Sequence, residues 1–127
     1  MKNRIRFISH KDKKILLVDC SNCTVEQLEE LSALVPARVT AEPRGSVLLL
    51  ADFTGATLDR RSVDRLKPSL VFDRPYLKRS AWVGVENLPK VLYEHLKSFS
   101  QRELPTFKTR EEAMDWLVED SDSTPPL

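Results

Sequence analysis

Two cysteines stand three residues apart in Cys20-Ser21-Asn22-Cys23, after an apolar run and just before Thr24. A C-x-x-C pair ahead of a helix start is where unpaired backbone N–H groups and the helix dipole stabilise a thiolate. The chemistry on offer is thiol–disulfide exchange through Cys20 and Cys23. The plainer reading is two small residues in a strand-to-helix turn. The same pair could hold zinc with His10 and His95, but one C-x-x-C without a second close pair is a weak zinc signal.

A second constellation is Asp52-Phe53-Thr54-Gly55-Ala56-Thr57. It follows the most apolar run of the chain, at the carboxyl end of an expected strand, where open α/β sheets place their binding sites. Two hydroxyls and a glycine ahead of a helix could bind an anion or accept a phosphoryl group. Arg60, Arg61, Arg65 and Lys67 follow as a basic helix face, then Arg74, Lys78 and Arg79. Such a face suits an acidic protein partner or a lipid headgroup, and is more often simply solvated. The phosphate-cradling patterns G-x-x-x-x-G-K-[ST] and G-x-G-x-x-G do not occur, nor do G-x-S-x-G and H-E-x-x-H.

The elements that must position these residues form one domain. The chain has 127 residues, 41% hydrophobic and 31% charged, which suits a soluble globule. Twenty Lys+Arg against nineteen Asp+Glu leave a net charge of +1, which argues against a nucleic-acid partner. Two cysteines cannot staple a secreted scaffold. No apolar run approaches a membrane span, and the basic start has no apolar leader segment. A cytoplasmic protein without a cofactor or a bound metal is expected. Charge is uneven, however: residues 1–14 carry six bases and one acid, and residues 111–122 carry six acids and no base. The two ends could attract each other.

Arg4–Ser9 alternates and reads as an edge strand, joined by a polar turn at residues 10–13 to a buried strand, Lys14–Asp19. Thr24 with Gln27 has capping-box spacing and opens a helix along Val25, Leu28, Leu31 and Val35. Pro36 should kink or end it. Ser46–Phe53 is apolar on both faces and reads as a central strand. A second helix starts near Asp59 and carries Val63, Leu66 and Leu70, weakened by Pro68. A strand within Tyr76–Val85, centred on Ser80–Gly84, comes next, then a helix capped by Asn87 with Leu92, Leu96 and Phe99 inward. A short strand over Leu104–Lys108 precedes a helix opened by the Thr109–Glu112 capping box. Residues 121–127 read as a disordered tail. The order is β-β-α-β-α-β-α-β-α, an α/β domain with four helices over residues 1–120 and a mostly parallel sheet. No internal repeat is visible.

Three segments carry a resemblance: SVLLLADFTG, then KRSAWVGVENLPKVLYEHLKSFS, then FKTREEAMDWLVED. Together they resemble the SpoIIAA-like family, small bacterial proteins related to STAS domains. The family pattern is a central strand ending in an Asp-x-Thr-Gly turn and a basic-Ser-Ala-x-x-Gly strand. It closes on a Phe-x-Thr-x-Glu-Glu-Ala-x-x-Trp-Leu segment, here Phe107, Thr109, Glu111, Glu112, Ala113, Trp116 and Leu117. The likeness covers residues 14 to 119. It implies a mixed sheet of about five strands and a regulatory, protein-binding role. In the branch that switches partners by phosphorylation, a serine pair and a glycine follow an aspartate at the next helix start. This chain has Asp59-Arg60-Arg61-Ser62, so Ser62, Thr57 and Thr54 are only substitute acceptors. A thioredoxin-like reading, which would set a cis-proline such as Pro105 beside the dithiol, lacks a terminal hairpin and has Asp19 where an aromatic would precede Cys20.

The leading expectation is therefore a non-enzymatic binding or regulatory domain. Its working surface is expected at Asp52, Thr54, Gly55 and Thr57, with Arg60, Arg61 and Ser62 of the following helix. The partner is expected to be a protein or a small apolar or anionic ligand. The alternative is a carrier of an apolar or lipid-like ligand, held as in CRAL-TRIO domains between helices and sheet. The edge strand near residues 4–9 could pair two copies into a homodimer.

Overall fold

The computed structural model describes residues 2–86, 90–100 and 105–119. After a single 3-10 turn at Lys2–Arg4, the chain runs β1 (Ile5–His10), β2 (Lys13–Asp19), α1 (Val25–Val39), β3 (Val47–Asp52), α2 (Arg60–Asp73), β4 (Leu77–Val83), α3 (Lys90–Ser100), β5 (Thr106–Phe107) and α4 (Arg110–Leu117). A short 3-10 turn at Arg74–Tyr76 links α2 to β4. One sheet has the strand order β1-β2-β3-β4-β5. β1 and β2 pair as an antiparallel hairpin, and the other pairs are parallel.

The strand order never reverses, so each crossover advances the same way and packs its helix on the same face. α1 and α2 cover Leu16, Val18, Leu49, Ala51 and Trp82, and α3 lies against α2. α4 covers the other face, with Ala113, Leu117 and Val118 on Ile15, Leu17, Leu48, Leu50, Ala81 and Val83. Every residue of β3 is buried, because it has helices on both sides.

Several expectations change in detail. Of the two outcomes open at Pro36, a kink or an end, the helix does not end there, and α2 runs on past Pro68 to Asp73. In α1 the buried row Val25, Leu28, Leu31, Val35 and Val39 continues on both sides of Pro36, and that packing outweighs one lost helical hydrogen bond. β4 falls within the expected Tyr76–Val85 but stops at Val83, because Gly84 turns into the left-handed region at φ +80°. At α4 the Thr109 hydroxyl accepts from the Glu112 N–H at 3.2 Å, but the Glu112 carboxylate meets the Thr109 hydroxyl rather than its N–H. The oppositely charged ends do touch: His10 and Lys11 both contact Asp115, at 2.8 and 3.1 Å. Asn87, Leu104 and residues 121–127 lie outside the described residues, as do the side chains of Leu70, Leu92, His95, Leu96 and Phe99.

Candidate functional site

β2 and β3 end in step. Asp19 and Asp52 are register partners across the parallel pair, and each begins the same turn. The Asp52 Oδ1 accepts from the Thr54 N–H at 2.9 Å and from the Thr54 hydroxyl at 2.6 Å. The Asp19 Oδ1 accepts from the Ser21 N–H at 3.1 Å and from the Ser21 hydroxyl at 2.6 Å. An aspartate bonding the backbone two residues on is an Asx turn, which diverts the chain from the strand direction. In both turns the next residue is left-handed, Asn22 at φ +57° and Gly55 at φ +72°. A threonine follows two residues later, Thr24 or Thr57. The chain thus contains a short internal repeat, Asp-x-(Ser/Thr)-(Asn/Gly)-x-Thr, where none was expected.

The two turns are laced together. The N–H groups of Cys20 and Asn22 donate to the carbonyls of Asp52 and Thr54, both at 2.8 Å, and the Thr57 N–H donates to the Cys23 carbonyl at 3.0 Å. Two glycines permit the close packing. A Cβ at Gly55 would overlap the Asn22 side chain, and one at Gly84 would sit 2.5 Å from the Thr54 backbone nitrogen.

Arg110, the first residue of α4, closes the arrangement from the opposite face of the sheet. Its Nε donates to the Asp52 Oδ2 at 2.6 Å, and its Nη2 lies 3.2 Å from the Asp19 Oδ1. Arg4 supports the first turn from outside, donating to the carbonyls of Asp19 and Ser21 and to the Cys23 Sγ at 3.1, 2.8 and 3.4 Å. Two carboxylates and two guanidiniums make a locally neutral group. At Asp19, burial works against the charge, but the Ser21 hydroxyl and N–H and the Arg110 guanidinium outweigh it, so the carboxyl lies below its ordinary value. At Arg110, burial likewise opposes the charge and the two aspartates overcome it, so its pKa is raised.

Asp52 is thus one of the buried groups of the fold, with both oxygens engaged, while Thr54, Gly55, Thr57, Arg60 and Arg61 are exposed. The basic face of α2 is largely matched by acids. Arg61 pairs with Glu26 of α1 at 3.4 Å, Arg65 pairs with Glu29, and Arg60 and Lys67 face Asp64 at 3.9 and 2.9 Å. Ser62 is fully buried: its hydroxyl accepts from the Asp59 N–H at 2.7 Å and completes the cap of α2. A helix-capping role in the core removes it as a phosphoryl acceptor.

Cys20 and Cys23 are buried free thiols beneath the first turn. Burial, the neighbouring Cys23 and the Asp19 charge push the Cys20 thiol well above its ordinary value, and burial raises Cys23 as well. That is the reverse of what a reactive dithiol needs. No cluster of three metal-ligating side chains occurs among the described residues, and none of their helices is long and apolar enough to cross a membrane.

Between α1, α2 and the sheet lies a cavity of about 70 Å³, lined mainly by apolar side chains such as Leu28, Val35, Phe53, Leu66 and Trp82, with Asp73 and Ser80 at its wall. That is about half of a benzene-sized cavity, roughly 150 Å³. Asp19, Asn22, Arg4 and Arg110 were missing from the sequence reading of the site. The signal was present in the two Asp-x-hydroxyl-x-x-Thr strings; nothing local marks either arginine. Compared with family models, with curated proteins and with solved structures, the chain matches none.

Proposed function

We propose that this protein is a non-enzymatic binding domain of the SpoIIAA-like kind, a regulatory module that recognises a protein partner. Its working face is the pair of turns at the carboxyl ends of β2 and β3, with the first turn of α2: Asn22, Thr54, Gly55, Thr57, Arg60 and Arg61. The observation that carries this reading is that the exposed turns are fixed, by left-handed residues, by backbone bonds between them and by the clamp on Asp19 and Asp52. A preformed surface binds without a large ordering cost.

Two further features support it. The groups that could do chemistry are engaged: Asp52 and Asp19 by Arg110, the cysteines by burial. Among the described residues the strand order also never reverses, so the kind of crevice that forms at such a reversal is not expected at the ends of β2 and β3. Phosphorylation at the start of α2 is not part of the reading, since Ser62 is buried.

The test immobilises the protein, the double variant Arg60→Glu/Arg61→Glu and the single variant Thr54→Arg, and quantifies captured proteins by mass spectrometry. A partner held by the unmodified protein and weakened about tenfold by both variants, the scale of a well-placed interface residue, is expected. Undiminished capture by both variants would overturn the assignment of this face.

A further inference from the structure

Arg110 is remote in sequence from both turns, yet among the described residues its side chain pairs with both aspartates. It also belongs to α4, which lies on the face of the sheet away from α1 and α2. α4 has two other polar anchors. Asp115 meets His10 and Lys11 of the hairpin, and the Arg79 guanidinium of β4 donates to the Trp116 carbonyl at 2.5 Å while lying 4.4 Å from the Trp116 ring centre. The helix is therefore seated at one end by the hairpin and β4, and at the other by the turn pair.

We propose that Arg110 is a positioning residue that couples the seating of α4 to the geometry of the two turns. Each aspartate uses Oδ1 to hold its turn; Arg110 bonds the second oxygen of Asp52 and shares Oδ1 of Asp19 with Ser21. Withdrawing the guanidinium leaves two carboxylates side by side on adjacent strands: Asp52 is buried and loses the donor to its Oδ2, and Asp19 keeps only its Ser21 bonds and the Arg4 guanidinium 4.0 Å away. Both turns respond together because one planar fork serves both. A partner that displaces α4 loosens the turns, and by reciprocity a ligand that tightens the turns seats α4 more firmly. The regulatory meaning rests on the binding reading above; the mechanical coupling does not.

The test is amide hydrogen exchange by NMR on the full chain, which needs no partner and so separates this proposal from the function reading. In Arg110→Gln, exchange at Ser21, Asn22 and Thr54 is expected to quicken about tenfold or more, the scale of losing charge-assisted bonds. The amides of β3 and of residues 113–117 are expected to hold. Arg110→Lys restores the charge without the fork and is expected to rescue only in part. Unchanged turns, a response in one turn alone, or an equal rise at every amide would overturn the coupling. Should Arg110→Gln not fold, Thr54→Val reads it from the other end. Removing one donor to Asp52 is expected to shift the Arg110 Nε–H resonance and quicken exchange at Ser21, and an unmoved Ser21 amide would overturn the proposal.

Discussion

Asp19 and Asp52 are neighbours across a parallel strand pair, and a single guanidinium, that of Arg110, joins them from the far side of the sheet. The register of β2 against β3 sets these two aspartates side by side. Two carboxylates at such a position repel unless a cation lies between them, and Arg110 supplies it. The result is a pair of matched turns whose charged foundations are satisfied and whose outer surfaces are exposed.

The turns should therefore be sensitive to their glycines in a definite order. Gly45 is left-handed but faces open space, so Gly45→Ala should cost about 1 kcal/mol from backbone strain alone. Gly55→Ala adds an overlap with the Asn22 side chain, which can move aside, and should cost roughly 1–3 kcal/mol. Gly84→Ala meets the backbone of Thr54, which cannot, and should cost about 3 kcal/mol or more. Urea denaturation of the three variants checks the ranking; a Gly84 variant no weaker than the Gly45 variant would show that the close approach is not required.

Much of this fold was legible in the chain, for physical reasons that hold locally. The Thr24–Gln27 box announces α1, and the unbroken apolar run of β3 announces a strand covered on both sides. At Pro36 the local pattern leaves a kink or an end open, because the cost of the proline is set against the burial of Val35 and Val39, which no local pattern weighs. The site was half legible. Asp52, Thr54 and Gly55 stand out as a strand-end motif. Arg4, Asp19 and Arg110 meet them only because sheet register and the placement of α4 bring three remote segments together, and no spacing in the sequence encodes that. On the basic face of α2, the pairing of Arg61 and Arg65 was hidden because their acidic counterparts, Glu26 and Glu29, are on a different helix.

Stability should fall in acid partly through Asp19. Its carboxyl titrates below its ordinary value in the folded chain, because the Ser21 and Arg110 contacts exceed the opposing effect of burial. A group with a depressed folded pKa contributes fully above its unfolded value, about 3.9, and that contribution is lost as pH falls through the folded value. Asp19→Asn should lower stability at neutral pH and flatten the decline below about pH 4. Denaturant midpoints from pH 2.5 to 7 measure this, and parallel pH profiles for the two proteins would contradict it.

Both thiols should be inert in the folded protein. Cys20 and Cys23 are buried and their thiols are pushed up by that burial. A thiol-reactive disulfide reagent at pH 8 should label them slowly in the native chain and at once in denaturant. Fast labelling at neutral pH would restore the dithiol reading.

The arginines that begin α2 should be dispensable for folding. Arg60 and Arg61 are exposed and their pairs with Asp64 and Glu26 are long, and exposed pairs contribute roughly 0.2–1 kcal/mol. Arg60→Glu/Arg61→Glu should keep most of the thermal stability of the unmodified protein, making it a clean probe of binding. A large loss on a melting curve would show that these side chains hold the fold.

The central claim is that the carboxyl ends of β2 and β3 are where a partner sits. A photo-crosslinking residue placed at exposed Thr57, in cells of the protein's own host, tests it directly, with Thr40 at the opposite end of the sheet as the control. A discrete protein adduct from position 57 and none from position 40 is the expected result. Adducts from position 40 alone, or the same adduct from both, would contradict the claim.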